Sequence, residues 1–156
     1  MASFCEIIAR SNNYKTLYVN GALGASLTSQ ETVDYFSNYA SNKNNDSRKT
    51  NMKNAYKEWK ESGVVTYAFD CSGLIKALLW GWNGKLDDWF GGADYLSNGI
   101  PDINDSGFYN YAKEMKSCTS TSDIKPGELL WMEGHVGIYI GNGLGVECSP
   151  AYDNGV

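Results

Sequence analysis

The stretch Phe69-Asp70-Cys71-Ser72-Gly73-Leu74-Ile75-Lys76-Ala77-Leu78-Leu79-Trp80 decides the fold. Its aliphatic residues recur at helical spacing, at Leu74, Ile75, Leu78 and Leu79. Glycines at 81 and 84 follow the apolar run, as they often do where a helix ends. The pattern predicts a helix over residues 71–80 that begins at Cys71 and presents an apolar face to a sheet.

A cysteine in the first turn of a helix has a distinctive chemical setting. The first backbone N–H groups have no partner within the helix and form the positive end of its dipole. We therefore expect the pKa of the Cys71 thiol to be lowered, and the same amides to be able to hold a developing oxyanion. A buried, purely structural cysteine at this position is the alternative interpretation.

From Glu128 the pattern changes to strands, predicted over 128–132, 135–140 and 144–148. The residues Gly141-Asn142-Gly143 form the hairpin turn between the last two strands. Strand alternation places His135, Gly137 and Tyr139 on one face and only aliphatic residues on the other. His135 is the single histidine of the chain, and Gly137 would let a helix approach its strand closely. We interpret His135 as the base that serves Cys71.

A thiol–imidazole pair needs a third group that orients the ring and fixes its tautomer. The strand after the hairpin offers Glu147, which is the only polar side chain in its middle. Glu147 is therefore the predicted orienting residue, and an exposed strand carboxylate without a role is the alternative. Asp153 and Asn154 are weaker candidates in a predicted turn.

The rest of the chain completes an α+β prediction, with helices first and antiparallel strands afterwards. We expect a helix over 3–12, an extended piece over 16–24, and one or two surface helices within 30–62 around a loop at 42–47. Residues 83–127 are expected to be irregular apart from a short helix over 108–115. The length of 156 residues fits one domain over 1–156. The ending Asp153-Asn154-Gly155-Val156 leads us to expect further edge strands beyond it.

Composition narrows the functional classes. The net charge of −5 argues against nucleic acid or an anionic membrane as the main partner. One histidine and four scattered cysteines cannot assemble a usual zinc site, so no metal or other cofactor is expected. Disulfides among Cys5, Cys118 and Cys148 stay open. The first residues lack the layout of a secretory signal: either export does not use that route or the signal is not part of this chain.

Three stretches together resemble the NlpC-type cell-wall peptidase family: 69–75 around the cysteine, Lys125-Pro126-Gly127-Glu128-Leu129, and 134–143 around the histidine. Leu17-Tyr18-Val19-Asn20-Gly21 is similar to its tyrosine motif, although Asn20 and Ala22 replace the usual tryptophan and second glycine. The resemblance covers about residues 14–150. Segment 25–66 is longer and more polar than the equivalent in the family.

The resemblance implies a papain-like fold in which N-terminal helices pack on an antiparallel sheet and the nucleophile begins a central helix. It assigns the nucleophile to Cys71 and the base to His135. The third position, commonly His, Asn or Gln in the family, falls on Glu147, and the related CHAP amidases use glutamate comparably. By the same analogy Tyr18, Asp70 and Ser72 are expected to contact the substrate.

The implied activity is that of a thiol protease, which hydrolyses peptidoglycan stem peptides, often between D-glutamate and a diamino acid. The expected partner is that peptide, the protein is expected to be a monomer, and the expected site of action is extracellular or the bacterial cell wall. Three alternatives stay open: an N-acetylmuramoyl-L-alanine amidase with the same site, a non-catalytic wall-binding module, and a lipid acyltransferase. The acidic charge balance and the lack of a basic amphipathic helix count against the acyltransferase.

Overall fold

The structure, a computed structural model, describes residues 14–153 and 155–156. The helix expected over 3–12, Cys5 and Asn154 lie outside the described residues. Within this part the helices are α1 (Gln30–Asn38), α2 (Asp46–Ser62), α3 (Cys71–Leu79) and α4 (Asp105–Tyr111), with single 3-10 turns at Ser97–Gly99 and Thr121–Asp123. The strands are β1 (Tyr14–Tyr18), β2 (Leu23–Ser26), β3 (Val65–Phe69), β4 (Leu129–Met132), β5 (His135–Gly141) and β6 (Leu144–Glu147).

The strands form two three-stranded sheets within the described residues. The first sheet has the order β1-β3-β2, with β1 parallel and β2 antiparallel to β3. The second has the order β4-β5-β6 and is antiparallel throughout. The α+β class and the antiparallel sheet before the C-terminus are therefore confirmed. The first sheet with its parallel pair was not predicted, and β3 was missed although its β-branched and aromatic residues follow a glycine.

Helix boundaries follow from capping residues. Asp70 caps α3, Ser29 caps α1, and Asn45 caps α2, which ends at Gly63 in a left-handed conformation. Residues 30–62, predicted to form one or two helices, form two. The short helix predicted over 108–115 begins earlier, at Asp105, because the side chain of Asn104 accepts a hydrogen bond from the amide of Gly107.

Two apolar clusters hold the layers together. One lies between the first sheet and helices α1 and α2, and includes Leu17, Val33, Phe36, Met52 and Ala68. The other joins α3 to both sheets and includes Phe69, Leu74, Ile75, Val136 and Ile138. Helix α3 is therefore the central element of the fold, and its first residue lies where the two sheets meet it. Among the described residues, no helix has the length and apolarity that crossing a membrane requires.

Candidate active site

The start of α3 is fixed by the carboxylate of Asp70. Its Oδ1 accepts hydrogen bonds from the amide of Gly73 at 2.6 Å and from the hydroxyl of Ser72 at 3.0 Å. Its Oδ2 accepts a bond from the amide of Gly21 at 2.7 Å, in the turn between β1 and β2. One side chain thus caps the helix and ties it to the first sheet. Of the predicted substrate contacts, Asp70 and Ser72 are therefore bonded to each other.

Gly73 allows the turn of the first sheet to lie directly against the helix. A Cβ atom at this position would stand 2.0 Å from the carbonyl oxygen of Ala22, which no real contact permits. The same carbonyl accepts a hydrogen bond from the amide of Asp70 at 3.1 Å. The glycine after Cys71-Ser72 is thus required by close backbone packing, which holds the first turn of the helix in one place.

The thiol of Cys71 is buried at the first residue of α3. Burial raises the pKa of the thiol above its ordinary value, and the carboxylates of Asp70 and Asp105 act in the same direction. The nearby backbone amides of Ser72 and Val136 act in the opposite direction. The predicted lowering of this pKa is therefore wrong, because desolvation and an adjacent carboxylate outweigh the amides. The resting sulfur is a thiol that needs a base.

His135 is the first residue of β5, and its ring is held by Glu147. The distance from Nε2 to Oε2 of Glu147 is 2.7 Å. Glu147 lies opposite Gly137 in the strand pairing, and Gly137 is two residues after His135. The side chains of His135 and Glu147 therefore lie on the same face of the sheet. Because a carboxylate only accepts hydrogen bonds, Nε2 carries a proton, and in the neutral ring Nδ1 is then the acceptor. This is the tautomer that can take a proton from a thiol.

The strand that carries His135 reaches the sulfur. Val136 and Ile138 are fully buried in the cluster that also contains Cys71, Leu74 and Ile75. The amide of Val136, one residue beyond His135, is near enough to the sulfur of Cys71 to act on the pKa of its thiol. The helix packs on the aliphatic face of the strand, which brings the strand to the predicted nucleophile next to the histidine. The close approach of a helix expected at Gly137 is wrong, because the atoms nearest to a Cβ there belong to Val146 and Glu147 of β6.

Tyr18 ends β1 at the same edge of the sheet, where it pairs with Phe69. Its hydroxyl donates a hydrogen bond to Oδ1 of Asn20 at 2.9 Å, and the guanidinium of Arg48 lies 5.0 Å from the centre of its ring. Burial, followed by the charges of Cys71 and Asp70, raises the pKa of Tyr18 to about 12. Tyr18, which was predicted to contact the substrate, is thus a neutral phenol close enough to the sulfur of Cys71 for the two groups to interact electrostatically.

Tyr152 belongs to the site and was not predicted. Its hydroxyl donates a hydrogen bond to Oε1 of Glu147 at 2.9 Å, so each oxygen of this carboxylate has a partner. Nothing in the local pattern marks Tyr152, since it lies in a turn after β6 and reaches Glu147 only through the fold. Asp153, a weaker candidate for the orienting role, is exposed in the same turn.

A groove of about 300 Å³ opens beside the His135–Glu147 pair. Its floor includes Gly137 and Gly145, and its walls include Trp131, Met132 and Tyr152. Side chains at the floor positions would meet neighbouring atoms at 3.0 to 3.2 Å, so the glycines keep the groove open. Cys71 is not among the residues that line this groove, which therefore borders the histidine and the glutamate but not the sulfur.

The other cysteines contribute no disulfide within the described residues. Cys118 is a free, exposed thiol, and Cys148 is a free, buried one. The sulfur of Cys148 donates to the carbonyl of Phe69 at 3.3 Å and thereby links the end of β6 to β3.

A cysteine at the start of a central helix, packed on an antiparallel sheet that carries a glutamate-oriented histidine, defines a papain-like fold. The model of the NlpC/P60 family matches residues 56–154, and the chain belongs to this family. Membership indicates a cell-wall peptidase, and the family consists in general of cysteine hydrolases. A comparison with curated proteins and one with solved structures each found no match.

Proposed function

We propose that this chain is a cysteine endopeptidase that cleaves stem peptides of peptidoglycan, at the bond between D-γ-glutamate and the diamino acid. Cys71 is the nucleophile, His135 the general base and Glu147 the orienting residue. The observation that carries the proposal is the 2.7 Å bond between His135 and Glu147, on the strand whose next amide reaches the sulfur of Cys71. We propose further that residues 1–156 act as one domain and as a monomer.

The chemistry begins with a neutral pair. Nδ1 of His135 takes the proton of the Cys71 thiol while the sulfur attacks the peptide carbonyl. Asp70 occupies the amides of Gly73 and Leu74, and the amide of Ser72 acts on the sulfur, so the amide of Cys71 is the helix-start donor proposed for the oxyanion. His135 then returns the proton to the departing amine, which leaves an acyl group on the sulfur.

Hydrolysis of the acyl group restores the enzyme. His135 accepts a proton from water as the water oxygen attacks the thioester carbonyl, and it passes this proton to the sulfur when the new carboxylic acid leaves. Throughout both steps Glu147 keeps the proton on Nε2 and stabilises the positive charge that the imidazole acquires. The buried, raised-pKa thiol makes this base essential, because little thiolate exists without it.

We propose that Tyr18 contacts the substrate directly and that Asp70 and Ser72 act by shaping the site. The Asp70 carboxylate accepts three hydrogen bonds from its own chain, which leaves it little capacity for a ligand. The hydroxyl of Tyr18 donates a hydrogen bond to the side chain of Asn20, and its oxygen can still accept a hydrogen bond from a ligand. A stem-peptide amine or amide would supply one.

The test compares the wild type with Cys71→Ala on purified peptidoglycan. We expect the wild type to release soluble muropeptides and the variant to lower the rate at least a thousandfold. Cys118→Ala serves as the matched control, because it removes an exposed thiol that has no role in the proposed mechanism. This variant should retain the wild-type rate. Equal release by the wild type and Cys71→Ala would reject the enzyme and favour a wall-binding module.

Glu147 also supports a second candidate, an N-acetylmuramoyl-L-alanine amidase, since the related CHAP amidases place a glutamate comparably. Mass analysis of the same products separates the two. The endopeptidase exposes a new amine on the diamino acid, whereas the amidase exposes the amine of L-alanine and frees the lactyl carboxylate of the glycan. We expect the first product pattern.

A further inference from the structure

The carboxylate of Glu147 can orient His135 only if the carboxylate is itself held in one orientation. This carboxylate has two equivalent oxygens on a side chain with three rotatable bonds, so a single hydrogen bond to His135 does not fix it. The side chain of Glu147 is also 37% exposed, which lets water compete for either oxygen. A second donor from the protein would restrict the carboxylate to one orientation.

Tyr152 is placed to be that donor. Its hydroxyl reaches Oε1 of Glu147 at 2.9 Å while Oε2 holds the ring of His135 at 2.7 Å. This bond, together with the nearby negative charge, raises the pKa of Tyr152, so the phenol keeps its proton for the carboxylate. The three side chains form one continuous chain of hydrogen bonds.

The backbone around Tyr152 holds the phenol in place. Ser149 donates to the carbonyl of Gly155 at 2.6 Å, and Gly155 donates to the carbonyl of Tyr152 at 3.1 Å. Gly155 packs so tightly that a Cβ atom there would lie 2.5 Å from the backbone nitrogen of Tyr18. The turn that carries Tyr152 is therefore closed on itself and docked against β1.

We infer that Tyr152 is a positioning residue, which acts on His135 through Glu147. The expected effect of Tyr152 on kcat rests on the proposed function, whereas its expected effect on the orientation of the His135 ring does not. The chain, which has a glutamate at the third position, thereby holds both carboxylate oxygens with partners of its own.

The kinetic test is Tyr152→Phe, which removes only the hydroxyl. We expect a three- to tenfold lower kcat with KM changed less than twofold, the effect of losing one hydrogen bond to a charged group at a partly exposed site. Tyr111→Phe is the matched control, because Tyr111 is similarly exposed and donates to the carbonyl of Gly99, and it should retain the wild-type kcat. An unchanged kcat in Tyr152→Phe would contradict the inference.

A double-mutant cycle shows whether Tyr152 acts through Glu147. In a Glu147→Ala background the hydroxyl has no carboxylate to hold, so adding Tyr152→Phe should lower the remaining rate less than twofold. Equal losses in both backgrounds would show that Tyr152 acts elsewhere and would overturn the inference.

A spectroscopic test is independent of hydrolysis. Since His135 is the only histidine, its ring nitrogens give a single set of NMR signals without assignment. In Cys71→Ala protein we expect a protonated Nε2 and a bare Nδ1, and faster exchange of the Nε2 proton once Tyr152→Phe is added. Identical spectra with and without the tyrosine hydroxyl would overturn the inference, whereas a wild type inert on peptidoglycan would overturn only the proposed function.

Discussion

The two halves of the site are held in different ways. The nucleophile half, at the start of α3, is enclosed: Asp70 makes three hydrogen bonds, and Gly73 lies against a backbone carbonyl. The base half, on β5 and β6, is more open, and its imidazole depends on one bond to a partly exposed carboxylate. Folding itself therefore places the sulfur, while a few polar side chains orient the ring. Substitutions of the residues that hold the sulfur in place should affect stability, and substitutions of the residues that orient the ring should affect catalysis.

The largest effect on stability is expected for Asp70→Ala. The change removes the α3 cap and leaves the amides of Gly21 and Gly73 without their acceptor, so we expect the free energy of unfolding to fall by about 3–5 kcal/mol. Urea denaturation measures this change. The matched control is Asp46→Ala, in the first turn of α2, whose 93%-exposed carboxylate pairs only with Lys49 on the surface. It should leave the free energy of unfolding almost unchanged, because a fully exposed ion pair is screened by solvent. Equal losses in the two variants would remove the distinction between the halves.

The reverse pattern is expected for Glu147→Ala. Without its carboxylate the ring of His135 can turn and take the wrong tautomer, so we expect kcat to fall about a hundredfold or more. Unfolding should change by less than about 1 kcal/mol because the pair is partly exposed. Steady-state kinetics and urea denaturation on one preparation give both values. Glu133→Ala, an exposed carboxylate in the turn before β5, should leave both unchanged; a large stability loss in Glu147→Ala with little loss of kcat would contradict the comparison.

The sequence predicted the elements that depend on local pattern. The spacing of Leu74, Ile75 and Leu78 indicated α3, and Gly141-Asn142-Gly143 indicated the hairpin that brings Glu147 beside His135. The raised pKa of Cys71 could not be found in this way, because it depends on desolvation by residues distant in the chain. The same holds for Tyr152, whose role arises from a turn docked on β1.

The role of Asp70 was only partly predictable, because it depends on one local and one distant contact. An aspartate directly before a helix is a strong local signal for an N-cap, but the family analogy assigned it to the substrate. The additional bond from Gly21 is a contact across 49 residues, which no local pattern shows. Residues with both a local and a long-range partner are therefore the ones whose role the sequence describes only in part.

The smallest expected effect concerns Cys148, which joins the two halves. Its sulfur is fully buried and donates to the carbonyl of Phe69, and burial raises the pKa of this thiol well above its ordinary value. In the unfolded chain the thiol ionises near its ordinary pKa, about 8.5. Above that pH, unfolding releases a proton, so the contribution of Cys148 to stability is full at neutral pH and is lost as pH rises.

We therefore expect the free energy of unfolding to decrease above about pH 9, and Cys148→Ala to flatten this decrease by up to about 1.4 kcal/mol per pH unit. Urea denaturation between pH 7 and 10 gives the slope, which is unaffected by the constant cost of the cavity. Part of the decrease should remain in Cys148→Ala, because the pKa values of the Cys71 thiol and the Tyr18 phenol are raised too. Cys118→Ala, at an exposed thiol, should keep the wild-type slope. If Cys148→Ala also kept the wild-type slope, the contact between Cys148 and Phe69, which joins β6 to β3, would not exclude water.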